Sequence, residues 1–344
     1  MAQRVLSERE LNRALLARQL LLERGRSSLP KTLERIGGIQ AQYAPSMYVG
    51  LWTRMEGFAR DSLTRALERR TVVQGTLLRA TIHLVSPRDW WVWSAAIREP
   101  RRKAYERAGP SSAQMKAAMR RVSKRLAEGP VERAELQELI GHGPQGTNRM
   151  SHWIDLVRVP PSGTWERRRA DLFAAAEEWI GPDPKHDELE ARAELVAAYL
   201  RGFGPSTRDD IASWAGLRPA QVDAALERLE LRRFRNEEGK PLLDLPRLPL
   251  PDPETPAPPR LLPVWDATML VHAKATGILP ERYRPRIFNT KTPQAMATFI
   301  VDGAVAGSWR FDKDRIRIEP FHRLDRATRR ALDEEAERLA DFCR

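Results

Sequence analysis

Apolar and polar side chains alternate at helical spacing along the first part of the chain. The pattern predicts a helix over residues 7–23, where Ser7 and Glu10 have the spacing of a capping box, and a second helix over 30–40. A third helix is expected near 61–69. Residues 71–85 are rich in β-branched side chains and are predicted to form strand. Helices followed by strand is the order of a winged-helix module.

The same order is predicted twice more. In the middle of the chain it comprises a helix over 131–140, a possible recognition helix over 147–157 and a hairpin turn at 159–165. Later, a capped helix over 206–217 ends at a glycine, the next helix covers 219–229, and residues 231–245 would form the wing. This last pair of helices is the clearest helix-turn-helix pattern in the sequence.

Beyond the third unit the character of the chain changes. Residues 245–260 hold seven prolines and are predicted to be an extended linker or a strap on the surface. Asp302 and Gly303, flanked by β-branched residues, predict a type I′ hairpin, and 315–320 alternates as an edge strand does. An amphipathic helix is expected over 325–342.

These patterns predict an α+β fold, mostly helical, with tandem winged-helix modules and a C-terminal β-rich segment. The predicted divisions are a first module over 1–108, a second over 109–184, a third over 185–245, a proline-rich linker over 246–260 and a C-terminal segment over 261–344.

The charge of the chain points to an anionic partner. Lys and Arg number 58 against 46 Asp and Glu, which gives a net charge of +12, and only nine of the basic residues are lysine. Arginine suits bidentate contacts with phosphate, so nucleic acid is the expected partner. A genome whose codons favour arginine would also explain the Arg:Lys ratio, although it explains the net charge less well.

Composition also narrows the class of protein. No apolar run approaches the roughly 20 residues that span a bilayer, and the start of the chain lacks the apolar core of a secretory signal. The single cysteine, Cys343, excludes an internal disulfide, and the six histidines have no zinc-binding spacing. We therefore expect a cytoplasmic, nucleoid-associated protein that needs no metal and no small-molecule cofactor.

The triplet Gln40-Ala41-Gln42 is the candidate for chemistry. Together with several other segments it resembles the AlkZ/YcaQ-like winged-helix DNA glycosylases, whose members carry a Gln-apolar-Gln or Gln-apolar-Asp triplet early in the chain. The other matching segments are Leu51-Trp52-Thr53-Arg54, Thr81-Ile82-His83-Leu84-Val85, Leu261-Leu262-Pro263-Val264-Trp265-Asp266, Asn289-Thr290-Lys291-Thr292 and the run of residues 301–310. The resemblance therefore covers nearly the whole chain.

The resemblance implies that Gln40 and Gln42 are catalytic and that Gln42 positions the attacking water. An N3- or N7-alkylated purine is already cationic and leaves readily, so a neutral amide that orients water is sufficient. The substrates expected are alkylated purines in duplex DNA, including purines joined in interstrand crosslinks, although Gln42 in place of Asp favours the labile lesions. The alternative is that both glutamines are surface or capping residues.

Other residues are candidates for contact with DNA, and each has a structural alternative. His83 is expected to face the lesion pocket or a phosphate, or else to be a packing residue, and Asp266 is a possible second carboxylate. The three tryptophans at 90, 91 and 93 form an aromatic wall or belong to the core. The predicted DNA contacts are Arg79, His83, Arg149, Arg167, Arg168, Trp309 and Arg310.

The sequence thus predicts a DNA glycosylase, which we expect to be a monomer. We expect it to be monofunctional, without strand cleavage, because no lysine occupies a motif that marks a Schiff-base nucleophile. Two alternatives stay open. One is a transcriptional regulator built from the same modules, although the helix at 219–229 offers few side chains that read bases. The other is a protein-interaction scaffold, against which the net charge argues.

Overall fold

The computed structural model describes residues 3–106, 112–141, 153–289 and 294–344. The chain starts with strand β1 (Val5–Leu6) and helix α1 (Glu8–Arg18), which Ser7 and Glu10 begin with the predicted capping box. Helix α2 (Leu29–Ile36) is shorter than predicted. Gly37 and Gly38 have φ of 77° and 69°, a left-handed conformation that ends the helix, so Ile39–Gln40 forms strand β2 instead.

Two helices and a hairpin follow. They are α3 (Ala44–Arg54), α4 (Arg60–Glu68), β3 (Val73–Thr76) and β4 (Ile82–Val85). The predicted strand therefore contains a turn. Arg79 and Ala80 have positive φ in a short 3-10 segment (Leu78–Ala80), which reverses the chain between the two strands.

The middle of the chain contains α5 (Pro87–Glu106), α6 (Ser112–Leu126), β5 (Val131–Glu132), α7 (Arg133–Ile140), β6 (Leu156–Arg158), β7 (Leu172–Ala175) and α8 (Ala176–Ile180). The predicted recognition helix over 147–157 lies mostly outside the described residues, and its end is wrong because Leu156 and Val157 are strand. Strands β6 and β7 pair antiparallel, so the turn expected at 159–165 lies within a hairpin as predicted.

One antiparallel sheet joins these parts of the chain. Its six strands lie in the order β2-β4-β3-β6-β7-β5, so it takes strands from both the first and the second predicted modules. The junction is tight at Gly75, where a Cβ atom would lie 2.3 Å from the Trp90 ring. Trp90, Trp91 and Trp93 are buried in the core, as the structural alternative for these residues predicted.

The third unit contains α9 (Glu188–Phe203), α10 (Arg208–Ala215), α11 (Pro219–Leu226), β8 (Arg232–Asn236) and β9 (Pro241–Asp244). The predicted order of two helices and a hairpin is confirmed, with Gly216 ending α10 in the left-handed conformation. Strand β1 from the start of the chain pairs parallel to β8 and completes a three-stranded sheet.

The proline-rich segment is a strap held on α1. Side chains of Arg9, Arg13 and Arg18 donate hydrogen bonds to the carbonyl groups of Pro253, Thr255 and Pro249. These contacts bind the segment to the first helix along its length.

The last part of the chain is β-rich, as predicted. Its elements are β10 (Arg260–Leu262), three 3-10 segments (Ala267–Met269, Val271–Thr276, Glu281–Tyr283), α12 (Arg284–Ile287), β11 (Phe288–Asn289), β12 (Gln294–Ala295), β13 (Thr298–Val301), β14 (Ala304–Asp312), β15 (Arg315–Pro320) and α13 (Arg326–Cys343). Asp302 and Gly303 both have positive φ, as the predicted type I′ turn requires. The molecule is α+β and mostly helical, and no helix in its described part is long and apolar enough to span a bilayer.

Candidate active site around Gln40 and Gln42

The glutamine triplet lies in a short extended segment between α2 and α3. Gln40 is on β2 directly opposite His83 on β4, and the Ala41 amide donates to the Ile82 carbonyl at 2.7 Å. Two of the segments that carry the family resemblance therefore meet as neighbouring strands. The backbone around the triplet is extended, which places alternate side chains on one side of the strand.

Gln42 is exposed, and a backbone group fixes its side chain. The Ile82 amide donates to Gln42 Oε1 at 2.8 Å. An amide oxygen has two lone pairs, so this bond leaves one acceptor position open. Among the described residues, the Nε2 group of Gln42 has no hydrogen-bond partner. The side chain is thus oriented and still able to bind a further group.

Gln40 is half-buried and borders a narrow cavity of about 10 Å³. The remaining walls come from the residue that follows α1, from the end of α3 and from the segment that follows β10. Their polar members are Gln19, Arg54 and Asp266. Residues 263–267 of the C-terminal part therefore line the same cavity as Gln40.

Asp266, the possible second carboxylate, is not a free base. Its Oδ1 accepts a hydrogen bond from Arg54 Nη2 at 3.0 Å, and its Oδ2 forms an ion pair with Arg54 Nη1 at 2.9 Å. Its Oδ1 also accepts from the amide and hydroxyl groups of Thr268. Both members of the ion pair are buried, with side chains 3% exposed. A buried carboxylate that is already paired with a guanidinium and accepts three hydrogen bonds is poorly placed to act as a general base.

His83 is buried behind Gln40, with 4% of its surface exposed. Its Nδ1 lies 3.0 Å from the Thr81 carbonyl oxygen, and its ring packs edge-on against Trp93 at 6.2 Å. Burial, aided by the nearby Arg79 charge, lowers the pKa of His83 from 6.5 to about 3. The ring is neutral at pH 7 and almost inaccessible to DNA. His83 is therefore placed as a packing residue, which was the alternative to a contact with DNA.

The loop between β6 and β7 brings basic side chains next to the triplet. Arg168 Nη1 lies 3.2 Å from the hydroxyl oxygen of Tyr43, and Tyr43 directly follows Gln42 and is 44% exposed. The Arg168 guanidinium also stands 6.0 Å from the centroid of Trp165. Arg167 points to acidic partners instead and pairs with Glu132 at 2.8 Å.

The other predicted DNA contacts lie elsewhere. Arg79 donates to the Trp214 carbonyl through Nη1. Trp309 is half-buried and donates from Nε1 to the Leu262 carbonyl at 2.9 Å, whereas Arg310 is exposed and pairs with Glu319 at 3.3 Å. Arg149 lies outside the described residues.

Two residues of the site were not singled out from the sequence. Tyr43 is an exposed aromatic side chain beside the catalytic candidates, and its position after Gln42 was the available signal. Arg54 ends one of the matching segments, but nothing in that segment indicated that its partner is Asp266, more than 200 positions away. Within the described residues, no group of three or more His, Cys, Asp or Glu side chains is arranged to hold a metal ion.

Comparison with known proteins gives the same family as the matching segments. The family described as DNA glycosylase AlkZ-like matches residues 33–342. The solved structure of Streptomyces sahachiroi DNA glycosylase AlkZ is similar over 98% of this chain and 97% of that one, with a TM-score of 0.82 and 20% sequence identity. No curated protein sequence matches significantly. Because the family match spans most of the chain and the fold agrees, the chain belongs to the AlkZ-like DNA glycosylases.

Proposed function

We propose that this DNA glycosylase hydrolyses the N-glycosidic bond of purines alkylated at N7 or N3 in duplex DNA. The observation that carries the proposal is the fixed side chain of Gln42. Its oxygen is oriented by the Ile82 amide, and the side chain is exposed beside Tyr43. In this reading Gln42 holds the water below C1′, and Gln40 completes the polar wall.

The nature of the side chains favours a cationic leaving group. Cleavage passes through an oxocarbenium-like sugar, and a neutral base needs strong assistance to depart. A purine alkylated at N7 or N3 carries a positive charge and departs as a neutral base, so an oriented water is enough. The nearest carboxylate on the cavity wall, Asp266, is already bound by Arg54. Purines held in interstrand crosslinks have the same N-alkylated centre and are the second substrate class to test.

We also propose that the units of two helices and a hairpin are winged-helix modules that present the chain to DNA. Helix α6 supports a non-specific mode of binding, because it contains five basic residues and no acidic ones. Arg121 and Arg125 are tied to α7 through Leu139 and Glu135. Lys116, Arg120 and Lys124, spaced by four positions, are exposed and have no ion-pair partner among the described residues. We call these three residues the α6 stripe.

Helix α11 of the third unit argues against a sequence-specific regulator. Its exposed positions include Ala220 and Asp223, and Glu227 follows at its end. Acidic side chains repel phosphate, and alanine reads few base edges. A regulator that used this helix would need basic and amide side chains there.

Incubation of the protein with duplex DNA containing 7-methylguanine tests the proposal directly. We expect free 7-methylguanine to appear, at the same rate in the presence of EDTA, with an abasic strand left intact. Undamaged duplex of the same sequence is the control. Failure to release any base from 7-methylguanine or 3-methyladenine duplexes would refute the substrate assignment, and recovery of a single strong consensus site from random duplexes would favour the regulator.

A further inference from the structure

We propose that Asp266 and Arg54 are positioning residues for Gln40, so that the C-terminal segment controls the geometry of the active site. The inference rests on the proposed function of Gln40. It assigns a task to a buried ion pair that borders the same cavity as Gln40.

A continuous set of polar contacts joins the ion pair to the end of α2, four residues before Gln40. Arg54 Nη2 lies 3.3 Å from Gln19 Oε1 and 3.0 Å from Asp266 Oδ1. Gln19 in turn donates from Nε2 to the carbonyl groups of Ile36 and Gly202, each at 2.8 Å. Ile36 is the last residue of α2, immediately before the two left-handed glycines that lead into β2. The contacts therefore hold the end of α2 from which the chain turns through Gly37 and Gly38 into the strand of Gln40.

The C-terminal segment is also seated on the helix that follows the triplet. The Thr53 hydroxyl donates to the Leu261 carbonyl at 2.6 Å. A Cβ atom at Gly50 would lie 3.5 Å from Ile39 and 3.6 Å from Pro263, so these two side chains meet over the same point of α3. Gln40 and Asp266 then border one cavity from opposite parts of the chain.

Burial of an ion pair carries a large desolvation penalty, and apolar side chains of the same volume often give equal or greater stability. What it adds is a defined direction for each planar group, since Arg54 Nη2 donates to Asp266 Oδ1 while Nη1 lies 2.9 Å from Oδ2. Loss of this direction would let the cavity wall and Gln40 shift. Displacements of about 1 Å in a reacting group lower rates by up to roughly a hundredfold.

The chain offers a matched control for this pair. Arg18 and Asp244 form another buried ion pair with two hydrogen bonds, at 2.7 and 3.0 Å, and their side chains are 1% and 0% exposed. Their other contacts are to Leu200, Pro249 and Arg232, and neither residue borders the cavity beside Gln40. Asp266→Asn and Asp244→Asn therefore each remove one buried negative charge, and Asp244, which also pairs with Arg232, is the stricter control for lost stability.

The test compares the two variants under single-turnover conditions with 7-methylguanine duplex. We expect both to lower Tm, but only Asp266→Asn to slow base release, by about tenfold or more. Its Kd for the same duplex should stay within about twofold of the wild type, because both side chains of the pair are only 3% exposed. If Asp266→Asn does not fold, Gln19→Leu breaks the same set of contacts at its middle and is measured in its place.

Two results would overturn the proposal: a normal single-turnover rate in Asp266→Asn, or equal losses of rate in both variants in step with Tm. If the wild type released no base, the proposed function would fail while the inference could still be tested. Hydrogen exchange of the Ala41 amide, bonded to Ile82, should then be faster in Asp266→Asn than in Asp244→Asn. Equal exchange would contradict the positioning role.

Discussion

Acidification from pH 7 to pH 5 should destabilise this protein, because two histidines are buried in neutral form. His83 and His272 are 4% and 3% exposed, and burial followed by the nearby Arg79 charge lowers the pKa of each from 6.5 to about 3. Between these values the unfolded chain binds protons that the folded chain does not. Stability must therefore fall as pH falls through this window.

The size of the loss follows from the two pKa values. Between pH 7 and pH 5, protonation of each histidine stabilises the unfolded state by about 2 kcal/mol, or about 4 kcal/mol for the pair. Asp89 acts in the opposite direction, because burial and then Glu34 raise the pKa of this carboxyl from 3.8 to about 6. Asp89 is therefore protonated at a higher pH in the folded state than in the unfolded state. This stabilises the folded state by about 1.3 kcal/mol between pH 7 and pH 5. The net expected loss is about 2.5 kcal/mol.

Urea unfolding followed by tryptophan fluorescence at pH 7 and pH 5 measures this difference. His272→Gln removes one titrating group and should reduce the loss to below about 1 kcal/mol. His322→Gln, at an exposed histidine, is the control for the substitution itself. Equal free energies of unfolding at the two pH values in the wild type would refute the reasoning.

Two further predictions concern the chemistry and the DNA surface. Gln42→Ala should lose most of the single-turnover rate while Kd for duplex DNA stays near that of the wild type, since an oriented water matters only in the chemical step; a near-normal rate would contradict the assignment. Arg120→Gln/Lys124→Gln should lower the log–log salt slope of binding by about 2, whereas Arg329→Gln/Arg330→Gln, whose arginines already pair with Asp333 and Glu334, should change it little. Equal slopes in the two double variants would show that the α6 stripe does not contact phosphate.

Local signals predicted local structure well. The capping box at Ser7, the left-handed glycine after α10 and the two-residue turn at Asp302 each fix the backbone through neighbours within a few positions. The error at Gln40 has the same origin. The predicted helix runs from Pro30 past Gly37 and Gly38 to Gln40, but both glycines take positive φ, so the chain leaves the helix there and enters a strand.

Long-range pairing was not predictable from one sequence. The six-stranded sheet joins strands from 39 to 175, and each strand is too short to specify its partner by alternation. The ion pair of Arg54 and Asp266 is of the same kind, because a charge pattern gives no information on contacts across 200 residues. The triplet could be found in the sequence, while the groups that hold it could not.

Many of the arginines that give the chain its positive charge are buried or already paired. Arg13, Arg18, Arg54, Arg158 and Arg260 are all buried, and they bind carbonyl groups, hydroxyl groups and carboxylates inside the molecule. Others on α13 are neutralised by acids one turn away. The basic groups free to meet phosphate are therefore far fewer than the 58 in the sequence. Because each phosphate contact contributes about 0.9 to the salt slope, the slope should reflect a small, localised set such as the α6 stripe and Arg168.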